Sequence, residues 1–244
     1  MPDRRCHRGA HPEDGRLFAP AAHEALRRGV RDLSWLLTHG YAGPSALKIV
    51  GDRYNLDARQ RMAVMRCACS DDALASRLAR QVRLADLAGA ELLIDGFNVL
   101  TTIEVALSGG VLLLARDTTC RDIASIHGSY RKVEETRPAL ALVGQTLHDN
   151  GVRRCAWLLD QPVSNSGRLR GIMMEVAQQN GWDWDVQIVA NPDPLLIETE
   201  QIVASADSVV IDRCRRWVNL AREVIGGMGF GEKVVDLRDD ATSG

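Results

Sequence analysis

Four short apolar runs, residues 91–95 (ELLID), 111–115, 155–160 (CAWLLD) and 186–190, are spaced so that helix-length segments fit between them. Strands that alternate with helices pair side by side and in parallel, because each crossover helix returns the chain in the same direction. The helices show their own period. Residues 131–150 set Ala139, Leu142, Val143 and Leu147 at helical spacing, and residues 168–180 do so with Leu169, Ile172, Met173 and Val176 before Gly181 stops the run.

The first ninety residues are helical throughout. Residues 21–39 place Leu26, Val30, Leu33, Leu36 and Leu37 on one face, preceded by Pro20 and followed by Gly40. Residues 46–54 and 58–67 flank the turn Asn55-Leu56-Asp57, with Asp57 a candidate N-cap, and residues 70–87 open with Ser70, Asp71 and Asp72. The expected fold class is α/β: a mostly parallel, Rossmann-like sheet over residues 91–244, preceded by a small all-helical domain over residues 1–90.

Charge divides along the same line. Residues 1–90 carry 15 Lys or Arg against 10 Asp or Glu, net +5, leaving −7 for the remainder. A basic module beside an acidic one suits a nucleic-acid grip joined to a carboxylate-rich site, although +5 over several helices is also an ordinary solvated surface. If the helices around Asn55 form a helix-turn-helix, Arg59, Arg61 and Arg66 lie where phosphates or base edges would be met. With 244 residues, 45% hydrophobic, the chain is long enough for a sizeable core and is not wholly disordered. No apolar run approaches the ~20 residues that span a bilayer, and the first 30 residues are rich in Arg, His and Glu, so a soluble cytoplasmic protein with no membrane partner is expected. Six scattered cysteines are too sparse for a disulfide scaffold. Cys6, Cys67 and Cys69, with His7 or His11, offer soft ligands for a structural Zn²⁺; buried free thiols are the plainer reading.

Acids recur at the strand ends. Asp95 closes the first run, Asp117 lies beyond the second, Asp160 closes the third, Asp193 follows the fourth, and Asp207 follows residues 201–205. An Asp after a strand is a common N-cap, which accounts for any one of them, but capping does not call for nearly every strand to end in Asp. Carboxylates gathered on one edge are costly unless they bind a divalent cation, and oxygen ligands suit Mg²⁺ or Mn²⁺. If residues 208–211 form the strand, Asp212 replaces Asp207; the preferred reading runs 208–220 as one helix. Ser166 and Arg168, with Arg170, open the helix after Asp160, where N–H groups can hold a phosphate. His127 and Arg131 lie in a basic, aromatic segment that suits a nucleic-acid strand, and Glu134 and Glu135 follow it.

The heptapeptide Ile94-Asp95-Gly96-Phe97-Asn98-Val99-Leu100 resembles the opening strand and loop of the NYN branch of the PIN-like nucleases. Trp157-Leu158-Leu159-Asp160 resembles that fold's second acid-ended strand, Asp193 the acid opening the next helix, and Ala204-Ser205-Ala206-Asp207-Ser208 its final step. The whole chain also resembles an uncharacterised two-part prokaryotic family carrying a domain-of-unknown-function label, through CHRGAHPEDGRLF, LSWLLTHGYAG, HGSYRKVEETRPAL and DQPVSNSGRLRG. The nuclease resemblance implies a PIN-like catalytic domain with Asp95, Asp160, Asp193 and Asp207 as metal ligands and Asn98 beside them. It further implies a metal-dependent nuclease acting on RNA with Mg²⁺ or Mn²⁺. Two rivals stand: an inactive nucleic-acid- or partner-binding module, and another Mg²⁺-dependent phosphoryl-transfer enzyme. No Walker-type loop is present, and Gly226-Gly227-Met228-Gly229 follows a helix.

Overall fold

The computed structural model describes residue 7 and residues 9–124, 132–229 and 234–238. Five helices come first: α1 (Asp14–Leu17), α2 (Pro20–Thr38), α3 (Gly43–Arg53), α4 (Ala58–Cys67) and α5 (Asp71–Arg80). Their ends follow from the residues present. Pro20 occupies the first turn of α2, where its missing N–H costs nothing. Asp57 and Gln60 form a reciprocal capping box on α4, and the Ser70 hydroxyl accepts the Ala73 N–H at the start of α5. The buried stripe of α2, Leu26, Val30 and Leu33, packs with Ala46, Val50, Leu56, Ala63 and Val64.

The main sheet contains β1 (Gln81–Val82), β2 (Glu91–Asp95), β5 (Arg154–Asp160), β6 (Trp184–Val189), β7 (Ile202–Ala204) and β8 (Trp217–Val218), in the order β1-β8-β7-β2-β5-β6, every pair parallel. Helices α6 (Gly96–Leu107), α7 (Thr136–Asp149), α8 (Ser166–Asn180), α9 (Pro192–Glu198), α10 (Ser208–Arg213) and α11 (Leu220–Gly227) connect and cover it. From β2 the chain winds outward through β5 to β6, then returns to the other side of β2 with β7 and β8. The order therefore reverses between β2 and β7, and a crevice opens at such a switch point beyond the carboxyl ends of the strands.

A second sheet of three strands holds β3 (Leu112–Leu114) between an antiparallel β4 (Cys120–Asp122) and a parallel β9 (Val234–Asp236). Leu113, Ala115, Ile123 and Leu237 close the core of the helical region, so the small sheet is the surface on which α2 and α4 rest.

Three expectations change. The run at 111–115 pairs outside the main sheet. The helix expected over 70–87 ends at Arg80, and Gln81–Val82 already belongs to the sheet, pairing with β8. The single helix expected over 208–220 is broken by β8, because Trp217 is fully buried between β7 and β1 and its indole N–H donates to the Arg77 carbonyl at 2.8 Å. Tertiary pairing overrides local periodicity at both places. No helix among the described residues is long and apolar enough to cross a membrane.

Candidate functional site

The peptide Asp95-Gly96-Phe97-Asn98 turns directly from β2 into α6, with Asp95 at the N-cap. Gly96 is required by a close approach. A Cβ there would stand 2.6 Å from Leu159 Cδ2 and 2.7 Å from the Leu158 carbonyl oxygen of neighbouring β5. Gly96→Ala is expected to push β2 and β5 apart and cost roughly 1–3 kcal/mol, as overpacking does, read as a lower midpoint in urea unfolding.

Asn98 and Ser205 tie β2 to β7. The Asn98 Oδ1 accepts the Ala206 N–H at 2.8 Å, while the buried Ser205 hydroxyl donates to Asp95 Oδ2 at 2.8 Å and accepts the Asp207 N–H at 3.0 Å. Asp207 in turn caps α10 by accepting from Val209 N at 2.7 Å. Asp95 and Asp207 thus stand on the two flanks of the crevice, joined through one hydroxyl.

The four predicted acids share this edge and feel one another. Burial pushes the Asp95 carboxyl up to about 7, the Ser205 hydrogen bond opposes it, and Asp207 and Asp193 push it further up. Burial and then Asp193 raise Asp160, and burial and then Asp207 raise Asp193. Asp193 sits in the first turn of α9, oriented by Asn191, whose Oδ1 accepts its N–H at 3.1 Å. Among the described residues, no three His, Cys, Asp or Glu side chains are already gathered so as to hold a metal ion. The edge is a set of carboxylates coupled through their charges.

Asp117 and Asp212 are elsewhere, in a buried ion network absent from the sequence reading. Arg77 of α5 donates Nε and Nη2 to Asp212 at 2.6 and 2.9 Å and Nη1 to Asp117 at 2.5 Å. Arg121 reaches Asp117 at 2.9 Å and the Ser208 hydroxyl at 2.7 Å. One arginine holds the first residue of the six-residue α10 and the other holds Asp212 near its end. Since a helix that short has little stability of its own, this clamp sets where Asp207 lies. Asp212 is thereby occupied, and Asp207 is the residue at the crevice.

The arginines expected to face phosphates are internal staples. Arg59 makes a two-pronged pair with buried Asp14 at 2.9 and 3.1 Å, Arg61 donates to the Leu56 carbonyl and Asp52 at 2.9 and 2.8 Å, and Arg66 donates to the Asp122 carbonyl at 2.6 Å. The Ser166 hydroxyl turns inward, bonded to the carbonyls of Asp160 and Val163 at 2.7 and 2.6 Å, and fixes the end of β5. Arg168 and Arg170 remain exposed in the first turns of α8. Glu135 meets His7 Nδ1 at 2.6 Å, away from the acid edge's own bonds. His127, Arg131 and Cys6 lie outside the described residues. Cys67 and Cys69 are buried, and burial pushes the Cys67 thiol up to about 12 and raises Cys69 as well, which favours thiol over the thiolate that zinc needs.

The family described as "Domain of unknown function (DUF5616)" matches residues 84–223, and that described as "Protein of unknown function (DUF434)" matches residues 25–80. An uncharacterized protein of Methanocaldococcus jannaschii is 29% identical over 203 residues, which cover 82% of this chain and 97% of that protein. No solved structure matches the chain.

Proposed function

For a chain that belongs to the family described as domain of unknown function DUF5616, whose description assigns no activity, we propose a metal-dependent hydrolase of phosphodiester bonds, a nuclease acting on RNA. The observation that carries this reading is Asp95: a carboxyl at the topological switch point, held at about 7 by burial and by the negative charges of Asp207 and Asp193. A site that gathers negative charge around a half-buried acid at a strand end is matched to a cation. The acids at this edge offer only oxygen donors, a chemistry that suits Mg²⁺ or Mn²⁺ better than a soft metal. The resemblance of residues 94–100, 157–160 and 204–208 to the NYN branch of the PIN-like nucleases supports the same choice.

In this reading Asp95 and Asp160 hold the cation with help from Asp193 and Asp207. A bound divalent ion supplies charge neutralisation at the scissile phosphate and an activated water. Ser205 fixes the Asp95 carboxyl, Asn98 fixes the loop that carries Asp207, and the exposed Arg168 and Arg170 offer positive charge to the substrate backbone beside Asp160. The helical region and the α/β region act as two parts of one enzyme.

Metal uptake must then displace a proton from Asp95. Because its pKa lies at about 7, Mn²⁺ affinity is expected to rise by up to about tenfold per pH unit below 7 and to level off above it, with about one proton released per ion at pH 6. Mn²⁺ titration followed by electron paramagnetic resonance at several pH values measures this. A flat profile would count against Asp95 as a ligand.

A second reading, hydrolysis of a small phosphate ester, draws on one observation: Arg59, Arg61 and Arg66 are all engaged internally and leave no basic track on α4. Incubating the protein with Mn²⁺ and single-stranded, hairpin and structured RNA, beside p-nitrophenyl phosphate, separates the two. Chelator-sensitive RNA cleavage is expected. Turnover of the ester alone selects the second reading.

A further inference from the structure

Beside Asp207 a cleft of about 430 Å³ opens between the helical region and the α/β region, bounded by α4, the first turns of α6, β4 and the start of α10. That volume suits a small organic ligand and falls far short of a duplex. Its walls combine apolar side chains with polar and charged ones, Arg66, Arg121, Asp122 and Asp207 among them. Met65 of α4 and Val209 of α10 are 53% and 50% exposed, and Phe97 adds an aromatic ring from α6. Thr101 is 4% exposed, and its buried hydroxyl has no hydrogen-bond partner among the described residues. Asn98 uses Oδ1 to bind the Ala206 N–H, and its side-chain N–H₂ makes no hydrogen bond among the described residues. Apolar surface from two elements, an aromatic ring, spare hydrogen-bonding groups and the Arg66 and Arg121 guanidiniums are the kinds of group that an unstacked nucleotide meets when a single-stranded chain is read.

We propose that this cleft binds one unstacked nucleotide of a single-stranded substrate, its base between Met65 and Val209 and its phosphate toward the part-exposed Arg66 guanidinium. The inference rests on the phosphodiesterase reading for its substrate class and gives the helical region a direct part in recognition. The test is calorimetric titration of the full chain in Mg²⁺ buffer with 5′-AMP and with ribose 5-phosphate, which lacks the base. AMP is expected to bind at least about tenfold tighter. Val209→Trp and Met65→Trp, both at exposed positions where a larger ring does not enter the core, each fill the cleft and bring AMP down to the ribose 5-phosphate level with Mn²⁺ binding unchanged. Equal affinity for the two ligands, or Trp variants that hold AMP as the wild type does, overturns the proposal. Base-dependent binding by a protein that cleaves no RNA keeps the cleft and removes the nuclease reading. Mn²⁺-dependent cleavage with equal affinities does the reverse.

Discussion

Asp95→Asn is expected to abolish Mn²⁺-dependent RNA cleavage, by at least about a thousandfold, while making the metal-free protein more stable at pH 8. The two effects share one cause. A carboxyl whose folded-state pKa is about 7 lies above its unfolded value of ~3.9, so the folded protein binds the extra proton. The contribution of this one group to stability is then greatest below pH 4, declines as pH rises from 4 to 7, and is lower by a constant amount above that. Asparagine keeps the shape and removes the charge, so the pH-dependent penalty disappears and the midpoint at pH 8 rises by a few degrees. Mn²⁺ should raise the midpoint of the wild type and leave that of Asp95→Asn unmoved, since only a ligand that binds the folded state stabilises it. Thermal melts at pH 5 and 8, with and without Mn²⁺, read all of this. A variant that melts below the wild type at pH 8 and still cleaves RNA contradicts the assignment.

Arg77→Met should be strongly destabilising. Arg77 is 3% exposed and Asp117 1% exposed, and removing the guanidinium leaves Asp117 with only Arg121 and its Thr119 bonds. Breaking a buried pair in this way costs about 3–5 kcal/mol, or roughly 10 °C in a chain of this length. Burial opposes the Asp117 charge, but Arg121, Arg77 and the Thr119 bonds outweigh it and hold the carboxyl below its ordinary value. The corresponding stability is fully present above about pH 4 and is lost as pH falls through the lower, folded-state pKa. The wild type should therefore lose more stability than Arg77→Met between pH 5 and pH 2. Because the same arginine anchors α10, Mn²⁺ affinity should fall too, and Arg77→Lys, which keeps the charge but not the two-pronged geometry, should recover only part of either property. An Arg77→Met protein with wild-type stability would show that the network is dispensable.

The parts of this molecule that could be read from the chain are those whose signals are local. Residues 58–67 form a helix because Asp57 and Gln60 cap it, and residues 91–95 form a strand that ends in its acid because five residues carry both the apolar run and the stop. The shared edge of Asp95, Asp160, Asp193 and Asp207 follows from parallel strands, so it too was legible. What was hidden depends on long-range partners. Gln81–Val82 and Trp217–Val218 are two-residue strands, too short for any period, and exist because they pair with each other and, for Trp217–Val218, with β7. The bonds of Arg77 to Asp212 span 135 positions. Arg59, Arg61 and Arg66 looked like a phosphate-facing row since nothing near them in sequence announces Asp14, Asp52 or the Asp122 carbonyl as partners. Ser205 escaped notice because a serine after a strand is common, and only the Asp95 carboxyl opposite it gives it meaning.

An anomalous-scattering map from crystals soaked in Mn²⁺ tests the carboxyl edge as a metal site. A peak is expected at the carboxyl edge between β2 and β7, within about 2.0–2.6 Å of carboxylate oxygens from Asp95 and Asp160 and from Asp193 or Asp207, and no such peak in Asp95→Asn. A map with no peak at that edge, or with manganese bound only elsewhere on the chain, would contradict it.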